Sequence, residues 1–174
     1  MLDMRPTDLV QLVTRVVGEA LHDPDKQAIA LVAPPSLEAT VDPLRLEQVL
    51  TNLLDNALKY SPAGCSIEVV LTQSGEDTIQ LSVRDQGLGI PPDRRARIFE
   101  RFYQAHTHTY SGWGLGLHIS RQIVELHGGE IRVNFPEDGG TLFLVSLPLT
   151  PNHTLSVDPT ATGTEGIIQT PTAQ

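Results

Sequence analysis

Leu46, Val49, Leu50, Leu53, Leu54 and Ala57 recur at the i, i+3, i+4 spacing of a buried helical face. The segment Leu46 to Tyr60 therefore reads as one amphipathic helix, with Asp42 as its N-cap and Pro43 as its first residue. Upstream, Leu9, Val10, Val13, Val16, Val17, Ala20 and Leu21 predict a helix over 1–23 that begins near Pro6 and Thr7. Ala28 to Val32 and Leu37 to Val41 read as short strands. Ser66 to Gln73 and Thr78 to Asp85 are β-rich, partly alternating, and joined at Ser74-Gly-Glu-Asp77. Asp93 to Ile98 can form a short helix. A third helix runs through Ile119, Ile123, Val124 and Leu126 to Gly128-Gly129. Strands over Glu130 to Phe135 and Thr141 to Leu147 close the pattern. This order predicts an α/β (α+β) two-layer sandwich, with about three helices on one face of a mixed, mostly antiparallel sheet.

Two amides break the pattern of the central helix. Asn52 and Asn56 lie one turn apart and project from the same surface. Asparagine inside a helix competes for backbone hydrogen bonds, so two of them followed by Lys59-Tyr60 need a reason. They are either a polar helix edge or a carbonyl-oxygen site for a hard cation, with a lysine nearby for phosphate.

Two glycine loops bear on that choice. In Asp85-Gln-Gly-Leu-Gly-Ile-Pro-Pro92, an aspartate at a strand end can accept a hydrogen bond from an exocyclic amine such as that of adenine. An ordinary tight turn explains the same residues. Gly112, Gly114 and Gly116 alternate before the third helix, where free N–H groups and the positive dipole end suit phosphate; the bland alternative is a flexible hinge. No Gly-Lys-Ser/Thr follows and no βαβ unit surrounds the loop, which excludes a Walker or dinucleotide fingerprint.

In combination these segments resemble one family. Asn52-Leu-Leu-Asp-Asn-Ala-Leu-Lys-Tyr60 resembles the N box of histidine-kinase ATP-binding domains. Asp85-Gln-Gly-Leu-Gly89 resembles their first glycine box, Ile98-Phe-Glu-Arg-Phe-Tyr103 the F box, and Gly112-Trp-Gly-Leu-Gly-Leu117 the second glycine box. All four stand in the family's order, over roughly residues 5–149. The resemblance implies a Bergerat-type ATP-binding fold over 1–149 and a site for ATP and Mg²⁺. Asn56 is then the metal ligand. Asn52 orders the phosphate–metal cluster, and Asn52 and Lys59 are the catalytic candidates. Lys59 and Tyr60 contact the nucleotide. Asp85 accepts the adenine amine, with Gly87, Gly89, Ile90 and Thr141 around the base. Gly112, Gly114, Leu115, Gly116 and Leu117 hold phosphates. Gln104 to Ser111 forms a lid that Phe99 and Phe102 anchor, Phe102 also touching the nucleotide.

Gyrase-type relatives carry a glutamate as general base where this chain has Asn52, which cannot take a proton. The implied chemistry is transfer of the γ-phosphoryl to a protein nucleophile rather than rapid hydrolysis. The implied partners are a phosphoacceptor histidine hairpin domain and then a response regulator receiver domain. An anti-sigma-factor-type serine kinase and a non-catalytic ATP-binding module are the other readings. Two departures stand out. Positions 104–112 hold no Lys or Arg, and the family's acceptor motif is matched only at its start, by His22-Asp23. His106 and His108 read as solvated lid residues, and His118 and His127 as ordinary helix positions.

Composition narrows the setting. The net charge is −9, from 12 Lys+Arg against 21 Asp+Glu, which argues against nucleic acid or an anionic membrane as partner. A polyanion such as ATP must then be held by local donors and a metal. Cys65 is the only cysteine, so there is no internal disulfide, and no apolar run reaches membrane-span length. A cytoplasmic location is expected. Residues 150–174 are Thr/Pro-rich without Lys or Arg and read as a disordered tail.

Overall fold

The computed structural model describes residues 1–21, 28–103 and 114–150. The lid segment with His106 and His108, Gly112, Trp113, the His22-Asp23 pair and the tail beyond Thr150 lie outside the described residues.

The central helix, α2 (Pro43–Tyr60), is the core of the molecule. Asp42 caps it by accepting the Arg45 N–H at 3.1 Å, and Pro43 opens it where an N–H would go unused. Its six apolar stripe residues are each at most 3% exposed. Helix α1 (Leu9–Ala20) packs on one side of it and α3 (Gly116–Leu126) on the other. Beneath them, among the described residues, five strands form the sheet β2-β4-β5-β7-β6. These are β2 (Ile29–Val32), β4 (Ile67–Ser74), β5 (Thr78–Asp85), β6 (Glu130–Asn134) and β7 (Thr141–Pro148). β2 runs parallel to β4, and the other pairs are antiparallel. Ile79, Leu81 and Val83 of β5 and Phe143, Val145 and Leu147 of β7 are buried while their neighbours alternate outward, so the helices cover one face. The expected two-layer mixed sandwich is the observed fold.

The N-terminus differs from expectation. Arg5–Asp8 is not helical but a strand, β1, paired antiparallel with β3 (Glu38–Val41) in a separate two-stranded sheet. The helix starts at Leu9 because Asp8, not Pro6 or Thr7, caps it, accepting the Gln11 N–H at 3.0 Å. Four residues without apolar alternation carry no local strand signal, and their partners lie thirty or more positions away. Asp93 to Ile98 is a 3₁₀ helix over Pro92–Arg97.

Candidate functional site

The polar edge of α2 faces a cavity of about 540 Å³. Its floor is the sheet at Asp85, Thr141 and Phe143, and its far wall is the start of α3. Of the residues singled out from sequence, Asn52, Asn56, Lys59, Tyr60, Asp85, Gly89, Ile90, Gly114, Leu115, Gly116, Leu117 and Thr141 all line it. Segments separated by as many as 89 positions thus meet around one space.

Asp85 sits at the sheet end of the cavity and is 5% exposed. Burial pushes its carboxyl up, and the backbone N–H groups of Gly87 and Thr141 offset that only in part. The Gly87 N–H reaches Asp85 Oδ1 at 2.8 Å, so Gly87 acts from behind the carboxylate and does not itself line the cavity. A buried carboxylate facing a cavity gains most from a ligand donor that replaces lost water.

At the other end, α3 begins at Gly116 with no side-chain capping hydrogen bond. Its first N–H groups and dipole face the cavity wall formed by Leu115 to Leu117. Gly114 has φ +65°, and a Cβ there would meet the Tyr103 carbonyl at 2.7 Å, so the turn into the helix requires glycine. Asn52 holds this end in place. Its Nδ2 donates to the Gly116 carbonyl at 3.2 Å and to Ser120 Oγ at 3.3 Å. Ser120 is fully buried and carried no sequence signal of its own.

Phe102, expected at the nucleotide, lies outside the cavity lining. It is 66% exposed and has φ 61°. The left-handed turn directs it outward, and Tyr103 takes a place in the wall instead. Phe99 does pack inward, edge-on to Phe143 with ring centroids 6.4 Å apart. Sequence reasoning also missed Gln48 and Asp55, which line the cavity. Helical spacing could have found both, at i−4 and i+3 from Asn52. His118 is half-buried and hydrogen-bonds the Phe99 carbonyl at 3.1 Å. His127 is 4% exposed, its Nδ1–H donating to the Ile123 carbonyl and its Nε2 accepting the Asp42 N–H at 3.0 Å.

This fold and cavity define a class of nucleotide-binding domain. The chain belongs to the histidine kinase-, DNA gyrase B- and HSP90-like ATPase family, whose model matches residues 41–151. Within that family it is a histidine-kinase ATP-binding catalytic domain. It is 42% identical over 154 residues to sensor histidine kinase TmoS of Ectopseudomonas mendocina, covering 85% of this chain and 16% of that protein. It is 36% identical over 150 residues to adaptive-response sensory kinase SasA of Trichormus variabilis, covering 84% and 37%. Among solved structures it is similar to a mycobacterial sensor histidine kinase, MprB, at 32% identity and a TM-score of 0.75, over 85% of this chain and 99% of that one. It is also similar to the nucleotide-free catalytic domain of histidine kinase ThkA, at 27% identity and a TM-score of 0.76, over 86% and 100%. The chain thus spans 16% and 37% of the length of these two curated relatives. Among the described residues no helix is long and apolar enough to cross a membrane.

Proposed function

We propose that this chain binds ATP with Mg²⁺ and transfers the γ-phosphoryl group to a histidine on a phosphoacceptor hairpin domain, from which a response regulator receiver domain takes it. The observation that carries this reading is the cavity itself. A buried carboxylate stands at one end, and a glycine-entered helix N-terminus and two asparagines stand at the other. That polarity matches a molecule with a donor amine at one end and phosphates at the other.

In this reading the Asp85 carboxylate accepts the adenine amine, with Gly89, Ile90 and Thr141 around the base. Backbone N–H groups from Gly114 to Leu117 hold phosphate oxygens, and Lys59 adds positive charge. The donor set also fits Mg²⁺. Among the described residues no group of three or more His, Cys, Asp and Glu could cage a metal. A cation that keeps its waters and takes most oxygens from phosphates needs only a donor such as the Asn56 carbonyl. Bound there, the ion neutralises charge on the phosphates.

Asn52 gives its amide hydrogens to Gly116 and Ser120, and an amide takes up no proton from water. The site lacks a hydrolytic base at that position, so the chain positions ATP for an incoming imidazole instead. The imidazole nitrogen forms a bond to phosphorus as the bond to the ADP oxygen breaks. The location follows the reading and is cytoplasmic.

The test is to incubate the chain with Mg²⁺, γ-labelled ATP and an isolated acceptor hairpin from a TmoS-type relative. Acid-labile, base-stable label on the hairpin is the expected result. Absence of ATP binding at millimolar nucleotide overturns the reading. Acid-stable label on serine would move the chain to the serine-kinase class.

A further inference from the structure

Asp85 ends β5 opposite Thr141 of β7, and a loop leaves the ladder beside each of these paired residues. One is Asp85 to Pro91, which ends in Ile90-Pro91-Pro92, where neither proline can donate a backbone hydrogen bond. The other is the connection from Phe135 to Gly140 between β6 and β7. They meet closely. A Cβ on Gly140 would collide with the Asp85 carbonyl, and one on Gly89 would lie 3.4 Å from the Gly140 carbonyl.

Two arginines reach the Phe135–Gly140 connection from outside the cavity, and one of them also holds the Asp85–Pro91 loop. Arg95, on the 3₁₀ helix, donates its Nε–H to the Ile90 carbonyl at 2.9 Å. The same guanidinium lies over the Phe135 ring, with Cζ 3.8 Å from the centroid. One planar group thus bonds one loop through its edge and the other through its face. From the far side, Arg84 of β5 donates from Nη2 to both carboxylate oxygens of Asp138, at 2.7 and 2.6 Å. Arg84 is a surface pair of small weight, whereas the half-buried Arg95 touches Ile90, a residue of the cavity wall.

We propose that Arg95 is a positioning residue for the base end of the nucleotide pocket, clamping the Asp85–Pro91 loop to the Phe135–Gly140 loop and so fixing Asp85 for adenine over guanine. The adenine part rests on the reading given under Proposed function; the clamp does not. A guanine ring offers a carbonyl where adenine offers its amine, and a fixed carboxylate rejects it. A loosened pair of loops lets Asp85 retreat and water enter, which lowers the preference.

The experiment uses the full chain with ATP and GTP as probes, read by titration calorimetry, and amide hydrogen exchange without nucleotide. Arg95→Ala and Phe135→Leu are each expected to weaken ATP binding about five- to tenfold and to narrow the ATP-over-GTP ratio, with no further loss in the double variant because the two side chains form one contact. Arg95→Lys keeps a cation over the ring and should recover part of the loss. Exchange should quicken at Gly87, Gly89 and Ile90 and stay unchanged in α2. Unchanged exchange in Arg95→Ala overturns the clamp. Faster exchange with ATP affinity within twofold of the parent and an unaltered ATP-over-GTP ratio overturns its role in base selection. If the parent chain binds no ATP while exchange still responds, the proposed function falls and the clamp stands.

Discussion

Asp42 and Asp85 are buried to nearly the same degree, 6% and 5% exposed, yet their carboxyls are pulled in opposite directions. Burial pushes both up. At Asp42 the N–H groups of Asp3 at 2.9 Å and Arg45 at 3.1 Å, joined by His127 and the Leu44 N–H, outweigh it and hold the carboxyl below its ordinary range. At Asp85 the N–H groups of Gly87 and Thr141 fall short, and the carboxyl stays raised. The difference is one of use. Asp42 commits its lone pairs to the fold, capping α2 and tying down Asp3, just ahead of β1. Asp85 keeps acceptor capacity in reserve and aims it into the cavity. A buried acid whose ionised form is under-satisfied is a site waiting for a donor; one fully satisfied is structure.

The largest effect expected from breaking this contrast lies at the phosphate end that Asp85 faces across the cavity. Asn56→Ala should lower phosphotransfer to an acceptor hairpin by about 10²-fold or more, since the proposed function makes its carbonyl the protein's oxygen on the metal–phosphate cluster. Single-turnover labelling measures it. Asp85→Asn should weaken ATP by about 1.5–3 kcal/mol, the range of a hydrogen bond to a charged group, so roughly ten- to a hundredfold in Kd. Its melting temperature at neutral pH should hold or rise, because an ionised buried acid has been removed.

Asp42→Ala should do the reverse. Loss of the cap costs about 1–2 kcal/mol, a few degrees in Tm for a chain of this size, while the folded fraction keeps its ATP affinity. Acid titration of stability sharpens the contrast further. Asp42, with its lowered folded value, contributes stability that is present above about pH 4 and lost as pH falls through that folded value. Asp85, with its raised folded value, contributes stability that is present below about pH 4 and lost as pH rises through that value. The Asp42→Ala and Asp85→Asn variants should therefore depart from the parent stability curve in opposite senses across the acidic range. This is the smallest effect of the set, and thermal melts at stepped pH resolve it.

Most of the cavity was legible in the sequence because its walls are helix stripes and loop ends. Asn52 and Asn56 share a helical face by spacing alone, and Asp85 ends an alternating strand. What escaped depended on distant pairing or on rotation. β1 needed β3, which lies across the whole of α1 and β2 in sequence. Phe102 belongs to an aromatic cluster that reads as inward-facing until its left-handed φ turns it out. His127 read as an ordinary helix end, yet it joins the end of α3 to the Asp42 N–H at the start of α2. Nothing local in Leu126-His-Gly-Gly129 announces a partner 85 residues away.

Titration calorimetry of Mg·ATP against the parent chain and Asp85→Asn, with melting curves on the same samples, tests the central claim most directly. The account predicts saturable binding by the parent, at least tenfold weaker binding by the variant, and a Tm that does not fall. A parent chain that fails to bind at millimolar ATP, or a variant that binds ATP as the parent does, would contradict it.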